Sequence, residues 1–421
     1  MLIEFHAANY RSIKGAQKLS MVAAKDTSCE EANCVPSGIP NISLVRTAVL
    51  YGPNASGKSN LISALQFMQK MVETSAIGIR EGQTLNIAPF RFDPITNKES
   101  SEFEVTFIEN KIRYQYGFVV NSARIIKEWL LVYVKQKPQC WFQRDYDSEK
   151  NKYLWDFGSH LVGGKNQHHL WSESTRANAL FLSTAVNLNS EQLRPIFNWF
   201  VNKLVIVGSN SQPLPLYTME CIKNELDKPQ IIKFLQAADL GITDVQIKMQ
   251  KTRQVQLRFE QGFTAIESVP EKDTPTATFF HQSKKQNNTV GFSIEEESHG
   301  TQKLFAYAGP ILDILKHGKI LVVDELDSSL HPKMVSFLVN LIQNADLNKK
   351  NPQLIFTTHN TYLLNTDFFR RDQIWFMEKD DEQASHLYPL TDFSPRKGEA
   401  LEKGYLIGRY GALPYLGEFN L

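Results

Sequence analysis

One octapeptide constrains this chain more than any other part of it: Gly52-Pro53-Asn54-Ala55-Ser56-Gly57-Lys58-Ser59. It fits the spacing G-x-x-x-x-G-K-[ST] throughout, and its flanks are as telling as its letters. Upstream, Leu44–Tyr51 is a nearly continuous apolar run with β-branched residues, the pattern of a strand covered on both faces of a parallel sheet. Downstream, Leu61, Leu65, Met68 and Val72 recur at spacings of three and four, one face of a helix. Strand, glycine loop, helix is the order that lets backbone N–H groups converge on phosphate oxygens at the positive end of a helix. Lys58 is then expected to contact the β- and γ-phosphates, and the hydroxyl of Ser59 to ligate magnesium. The plain alternative, a glycine turn with a surface lysine, does not explain the flanks.

Such a loop needs an acidic partner on a neighbouring strand. Ile320-Leu321-Val322-Val323 reads as a buried strand, and Asp324-Glu325 stand at its C-terminal end, where open α/β sheets collect their ligands. Asp324 is expected to hold the magnesium, directly or through water, and Glu325 to polarise the attacking water. The run Leu326-Asp327-Ser328-Ser329-Leu330-His331-Pro332 follows and sets this pair apart from an ordinary solvated turn. Lys58 and Asp324 lie 266 positions apart (324 − 58), too long an insertion for a compact P-loop kinase or small GTPase. Before the acidic strand stands Glu297-Ser298-His299-Gly300-Thr301-Gln302, where Ser298 and Gly300 open a helix and can offer a hydroxyl and bare N–H groups to an anion. Alone, that would be an ordinary serine N-cap. Finally, Leu354–Thr357 reads as a strand ending at His359, placed to hydrogen-bond a γ-phosphate and keep the attacking water in line.

The rest of the chain shows how these pieces are spaced. Residues 2–6 alternate as a strand, and Leu19–Ala24 is a further apolar segment. From about 100 to 160 the period becomes two: Phe103, Val105 and Phe107, then Ile112, Tyr114, Tyr116 and Phe118, then Trp129–Val134 and Cys140–Gln143, a set of antiparallel hairpins. Residues 196–260 read as mostly helical, including Glu220–Leu226 and Ile231–Ala238, and 264–290 as a hairpin or exposed loop. Helix–strand alternation returns from Gly300, with strands at Ile320–Val323, Gln353–Thr357 and Gln373–Met377. The expected architecture is an α/β P-loop head with a mixed-sheet core, formed by 1–190 and 286–421. It carries an antiparallel β lobe at about 100–160, and 191–285 forms a mainly helical insertion.

Composition narrows the setting. Of 421 residues, 42% are hydrophobic and 22% charged, ordinary for a chain that buries a sizeable core. Lys plus Arg number 46 against 45 Asp plus Glu, a net charge of +1, which gives no support to a strongly basic nucleic-acid coat. The N-terminus lacks the charged-then-apolar layout of a signal peptide, and the apolar runs are far shorter than the roughly 20 residues that span a bilayer. No CxxC pair occurs among Cys29, Cys34, Cys140 and Cys221, so free thiols are expected. A cytoplasmic location follows, with no membrane partner.

The ordered motifs resemble an ABC-type ATPase head of the SMC, RecF and OLD-like branch. Phe5…Asn9-Tyr10-Arg11-Ser12-Ile13, Glu297-Ser298-His299-Gly300-Thr301, Asp324-Glu325-Leu326-Asp327 and Gly404-Tyr405…Gly408-Arg409-Tyr410-Gly411-Ala412-Leu413-Pro414 further resemble the RloA-like group of prokaryotic AAA/ABC ATPases. The ATPase component of the PARIS anti-phage system is one such relative. The resemblance implies ATP and Mg2+ as cofactors, with Gly52, Asn54, Gly57, Lys58, Ser59 and Asn60 on the nucleotide side, and Ser59 and Asp324 on the metal. It implies Glu325 as catalytic base and His359 as γ-phosphate switch. Ser298 and Gly300 become a signature acting in trans, and Asp327 a residue crossing a dimer interface. The signature departs from Ser-Gly-Gly-Gln, and the glutamine that usually follows the first helix is expected within Asn86–Phe92, at no particular residue.

The function so implied is an ATPase that assembles as a homodimer or higher homo-oligomer and controls a separately encoded effector, a TOPRIM-type nuclease or toxin, in anti-phage defence. A RecF- or SMC-like DNA-binding ATPase of repair is the alternative, with Lys284-Lys285 and Arg370-Arg371 as the candidate contacts, although such isolated pairs are more often solvated surface charge. A self-contained nuclease is disfavoured, since 62 residues follow His359 (421 − 359), and Glu378–Glu382 reads as a hairpin turn. The long split between motifs does not suit a transporter subunit.

Overall fold

The computed structural model describes the chain except residues 27, 136, 209–213, 225–226, 239, 253–254, 261–262, 269–271, 284–287, 366–367, 397 and 415–421. It divides into two compact units: Met1–Asn210 with His317–Asp327 and Leu338–Leu421, and Ser211–Lys316 with Ser328–Phe337.

The first unit holds two large sheets. In one, seven antiparallel strands run in the order Lys152–Phe157, Gln139–Asp147, Ile125–Tyr133, Ile112–Val120, Ser101–Glu109, Leu2–Ala8, Gln17–Ser20. The alternating aromatics expected at 103–118 form its centre, and Asn110 and Lys111 make the two-residue turn with φ of 50° and 65°, the mirror-image geometry that suits the twist of a tight hairpin. Phe107 stacks on Trp199 at 4.1 Å, and Glu128 and Arg144, both fully buried, face each other at 3.0 Å. The Glu128 carboxylate also accepts the Tyr116 hydroxyl at 2.9 Å and the N–H groups of Phe181 and Leu182 at 2.8 and 3.0 Å, the first turn of the helix Phe181–Asn187.

The other sheet runs Leu204–Val207, Ile320–Val323, Gln353–Thr357, Thr47–Tyr51, Ile374–Lys379, Ser385–Pro389. Its first five strands are parallel and the last antiparallel. Thr47–Tyr51, Ile320–Val323 and Gln353–Thr357 are buried at every residue, as strands covered on both faces must be. The α/β class read from the sequence is the one the chain forms. The single strand expected over Leu44–Tyr51 is two. Ser43–Val45 pairs with Cys34–Pro36, while Thr47–Tyr51 joins the parallel sheet. Arg46 is the crossing point: its N–H goes to Asn33 O and its carbonyl accepts from Leu354 N. A one-residue change of partners leaves the apolar run unbroken in sequence, so the switch is silent there.

The second unit contains the helices Leu214–Lys223, Lys228–Ala237 and most of His299–His317, an antiparallel sheet of Ile242–Thr252, Lys272–Ser283 and Asn288–Ser293, and the hairpin Val255–Glu260/Phe263–Ser268. Phe279 meets Phe305 edge-on at 4.9 Å. Here expectation and structure part: the segment read as mainly helical gives up the strand Leu204–Val207 to the parallel sheet, is helical over Leu214–Lys223 and Lys228–Ala237, and then forms strands. Val245, Ile247 and Met249 carry period-two spacing for only a few residues, too short to stand out beside the helical stretches before it. The candidate DNA contact Lys284-Lys285 lies outside the described residues. Among the described residues no helix is long and apolar enough to cross a membrane.

Candidate functional site

The glycine loop joins Thr47–Tyr51 to the helix Lys58–Thr74, whose buried face includes the expected Leu61, Leu65, Met68 and Val72. Two of its glycines are required by the backbone. Gly52 has φ 153°, and a Cβ there would lie 2.1 Å from Met377 O on the adjacent strand. Gly57 has φ 112°, and its Cβ would lie 2.2 Å from Ser385 Oγ. No side chain fits either place. Behind the loop, Ser385 Oγ lies 2.7 Å from both Ser12 Oγ and Ser56 O, and Ser385 N donates to Ser12 O at 2.7 Å. Asn60 spends its amide on the same support, donating to Ser12 Oγ at 2.7 Å. The Asn9-Tyr10-Arg11-Ser12 turn is therefore part of the loop's scaffold: Arg11 reaches Ser63 Oγ at 3.1 Å, Arg11 N donates to Ala88 O, and Asn9 Oδ1 accepts Phe90 N. Those last two bonds also fix the segment Asn86–Phe92.

Lys58 is 6% exposed and donates from Nζ to Gly52 O at 2.8 Å and Pro53 O at 2.9 Å, closing the loop on itself. Burial lowers its pKa, and the charges of Asp324, Glu325 and Asp327 pull it back up. Asn54 and Ala55 are exposed, and Ser59 is half-buried at the start of the helix. The three carboxylates arrive from the end of Ile320–Val323. Asp324 is buried and its Oδ1 accepts the Thr357 hydroxyl at 2.7 Å; that same hydroxyl accepts the N–H of Glu325 at 2.7 Å. Glu325, exposed, sits at φ 54°, a left-handed conformation for a residue with a side chain. Asp327 accepts the backbone N–H of His359 on Oδ2 at 3.1 Å, while its buried Oδ1 has no hydrogen-bond partner. Burial lowers the pKa of exposed-edge His359, the Lys58 charge pushes the same way, and the three carboxylates oppose both.

Lys58, Asp324, Glu325, Asp327 and His359 thus form one electrostatic cluster in the first unit, assembled from three distant stretches. Ser298 and Gly300 belong to the second unit. There Ser298, exposed, caps the helix His299–His317, with Oγ accepting Thr301 N at 3.1 Å. A Cβ on Gly300 would lie 3.2 Å from Ser329 O, and Glu297 is held by His281 at 2.6 Å and through its carbonyl by Gln302 at 2.8 Å.

Sequence reasoning missed Thr357, the bridge between the two acids. Its only signal is a hydroxyl closing an otherwise apolar strand. The proposed Arg370-Arg371 contacts are overturned, as is their reading as solvated surface charge. Arg370 is 1% exposed, bonded to Asp372 through Nε at 3.0 Å and Nη2 at 2.7 Å and to Ser28 O at 2.9 Å. Arg371 is tied to Asp26 at 2.5 Å and to Pro395 O at 2.7 Å. The terminal Gly-Tyr motif packs on the parallel sheet: Tyr405 and Tyr410 stack on Phe376, at 5.5 and 5.8 Å, and a Cβ on Gly404 would lie 2.9 Å from the Tyr410 ring.

The donor set fits a magnesium nucleotide. The loop offers glycine-permitted backbone N–H groups and a lysine, and Ser59 and Asp324 add hard oxygens of the kind that hold magnesium when phosphates and water complete its shell. The unpartnered Asp327 Oδ1 marks a further polar position at the cluster's edge.

Residues 48–365 match the family described as "AAA domain, putative AbiEii toxin, Type IV TA system". No curated protein is similar enough to match. Among solved structures, the chain is similar to the SmcHead bound to the C-winged helix domain of ScpA, with a TM-score of 0.43 and 11% identity over 92% of this chain and 97% of that one. It is similar also to the SMC head domain from Thermotoga maritima, with a TM-score of 0.39 and 12% identity over 92% and 98%. A third is the Smc head domain with an extended coiled coil bound to the C-terminal domain of ScpA derived from Pyrococcus furiosus, with a TM-score of 0.40 and 10% identity over 96% and 98%.

Proposed function

The chain belongs to this AAA-domain family, and on that premise we propose that it binds magnesium-ATP, hydrolyses it between two copies of itself, and uses the cycle to hold or release a separately encoded effector. One observation carries the reading: a buried lysine closing a glycine loop stands in one charge cluster with Asp324, Glu325, Asp327 and His359. The loop amides, Asn54 and Lys58 would face the phosphates, and Ser59 with Asp324 the magnesium, while the Asn60 amide stays on Ser12 behind the loop. When bound, magnesium neutralises charge developing on the transferred phosphoryl group. Glu325, whose peptide is fixed by Thr357, takes the proton of the attacking water. His359, its ring kept neutral by burial and by Lys58, accepts or donates one hydrogen bond beside it.

Ser298 and Gly300 address the nucleotide held by the partner copy, and Asp327, which anchors His359 within its own chain, extends to that interface. ATP joins the two copies and hydrolysis removes the shared charge that holds them. The antiparallel lobe and the segment 191–285 present the effector-binding surface. The effector is a nuclease or toxin, and the setting is cytoplasmic anti-phage defence, as in the RloA-like and PARIS ATPases that the motifs resemble.

The test is a Glu325→Gln protein, which should bind ATP, hydrolyse it at least about 100-fold more slowly, and accumulate as an ATP-dependent dimer by sedimentation. Wild-type turnover would remove Glu325 from its role. Capture from the native host with ATP should retain a nuclease or toxin. Recovery of DNA alone, with affinity falling steeply in salt, would instead establish the DNA-binding reading. That reading has lost Arg370 and Arg371 to internal ion pairs.

A further inference from the structure

The helix that begins at the signature, His299–His317, contains a proline in its interior, Pro310. A proline there cannot give an N–H to the carbonyl four residues earlier, and it bends the helix. That carbonyl belongs to Ala306, which is buried. It is not left alone. The hydroxyl of Thr218, on the helix Leu214–Lys223, donates to Ala306 O at 3.1 Å. Thr218 Oγ1 in turn accepts the N–H of Gly309 at 3.0 Å. Both roles of one hydroxyl are thus spent on the turn that the proline breaks. Thr218 is fully buried, and a Cβ on Gly309 would lie 2.8 Å from its Oγ1 and 2.9 Å from its Cα, so the glycine is what lets the two helices come this close.

The three residues make sense only together. Most residues at position 310 would supply the bond to Ala306 themselves and need neither the threonine nor the glycine. Instead the helix runs on with one backbone bond missing two to three turns beyond Gly300, and the carbonyl left by it is met from outside. A bend at that place sets the direction in which the first turn, with Ser298 and Gly300, points.

We propose that Thr218 is a positioning residue: it fixes the bend at Pro310 and thereby the aim of Ser298 and Gly300 at the partner copy's nucleotide. This rests on the reading of Ser298 and Gly300 as a signature acting in trans. Thr218→Val, which keeps the shape and deletes the hydroxyl, should lower ATP turnover about 10-fold or more while leaving nucleotide affinity within about twofold, and Thr218→Ser should restore turnover. The deciding variant is Thr218→Val/Pro310→Ala. Residue 310 then regains an N–H for Ala306 O, so the folding defect of the single change is relieved and the test stays readable even where Thr218→Val folds poorly. Its thermal midpoint should recover while turnover stays low, because the helix has straightened.

Recovery of both midpoint and turnover would overturn the proposal, as would wild-type turnover in Thr218→Val alone. Ser298→Arg, measured in parallel, separates the two levels. If it hydrolyses ATP normally, the trans-signature reading fails and takes this proposal with it. If it is inactive while the double variant is fully active, only the role of Thr218 is refuted.

Discussion

Thr357→Val is the change at the site from which most can be learned. The threonine is fully buried at the end of Gln353–Thr357, and valine fills its space. What disappears is one hydroxyl with two bonds, each 2.7 Å long: a donor to Asp324 and an acceptor for the N–H of Glu325. A hydrogen bond to a charged group contributes about 1.5–3 kcal/mol and a neutral one about 1 kcal/mol, so the loss is roughly 2.5–4 kcal/mol. At about 2–4 °C per kcal/mol for a domain of this size, the thermal midpoint should fall by about 5–15 °C. The catalytic consequence is more specific. Glu325 sits at φ 54°, a conformation that costs about 1–2 kcal/mol and is pinned by that same N–H bond. Released, the peptide relaxes and the carboxylate loses its bearing on the water. Turnover should drop about 100-fold, the lower end of what a positioned general base supplies. Nucleotide binding without magnesium should be unchanged, since Lys58 and the loop are untouched, while the magnesium requirement rises. Thr357→Ser, which keeps the hydroxyl, should recover most of both. The reasoning fails if the valine variant turns over ATP within about twofold of wild type at a temperature where it is folded.

Three further changes probe other parts of the first unit. Gly57→Ala places a Cβ 2.2 Å from Ser385 Oγ at a φ that side chains avoid, so nucleotide affinity by calorimetry should fall at least about 10-fold; unchanged affinity would mean that the loop's shape is not what binds phosphate. Because burial and Lys58 lower the pKa of His359 below its usual 6.5, kcat/KM for ATP should be flat above pH 7 and fall only on the acid side, and His359→Gln should lose that acidic limb. The same shift means that the unfolded chain takes up this proton more readily than the folded one, so stability is lost as pH falls through 6.5 and the loss levels off below the folded value. Arg144→Met strands the buried Glu128 carboxylate and should cost about 3–5 kcal/mol in denaturant unfolding, with Glu128→Gln added in the same chain recovering part of it.

What could be read from the sequence divides along a physical line. The glycine loop, the acid pair and the parallel strands were legible because each is specified by neighbours: a turn needs its glycines within a few residues, and a doubly covered strand needs an unbroken apolar run. The loop's support was not, because Ser12 and Ser385 stand at opposite ends of the chain and yet touch at 2.7 Å. Nothing local marks such a pair. Arg370 and Arg371 misled for the related reason that a charge looks the same in sequence whether water or Asp372 and Asp26 neutralises it. The break at Arg46 and the strands after Ile242 show the limits of periodicity, since a change of partner strand leaves apolarity intact and a short alternation is easily outweighed.

The interleaving of the parallel sheet has a consequence for how the molecule comes into being. Thr47–Tyr51, the strand that carries the glycine loop, is flanked by Gln353–Thr357 on one side and Ile374–Lys379 on the other. Neither neighbour exists until some 300 residues more have left the ribosome, about 15–60 s at ordinary rates of synthesis. The hairpins between Ser101 and Phe157 pair with near neighbours in the chain and can form long before. The antiparallel lobe is thus poised to fold while the chain is still being made. The glycine loop waits for the last third of the protein, so an unfinished copy lacks both strands that flank it.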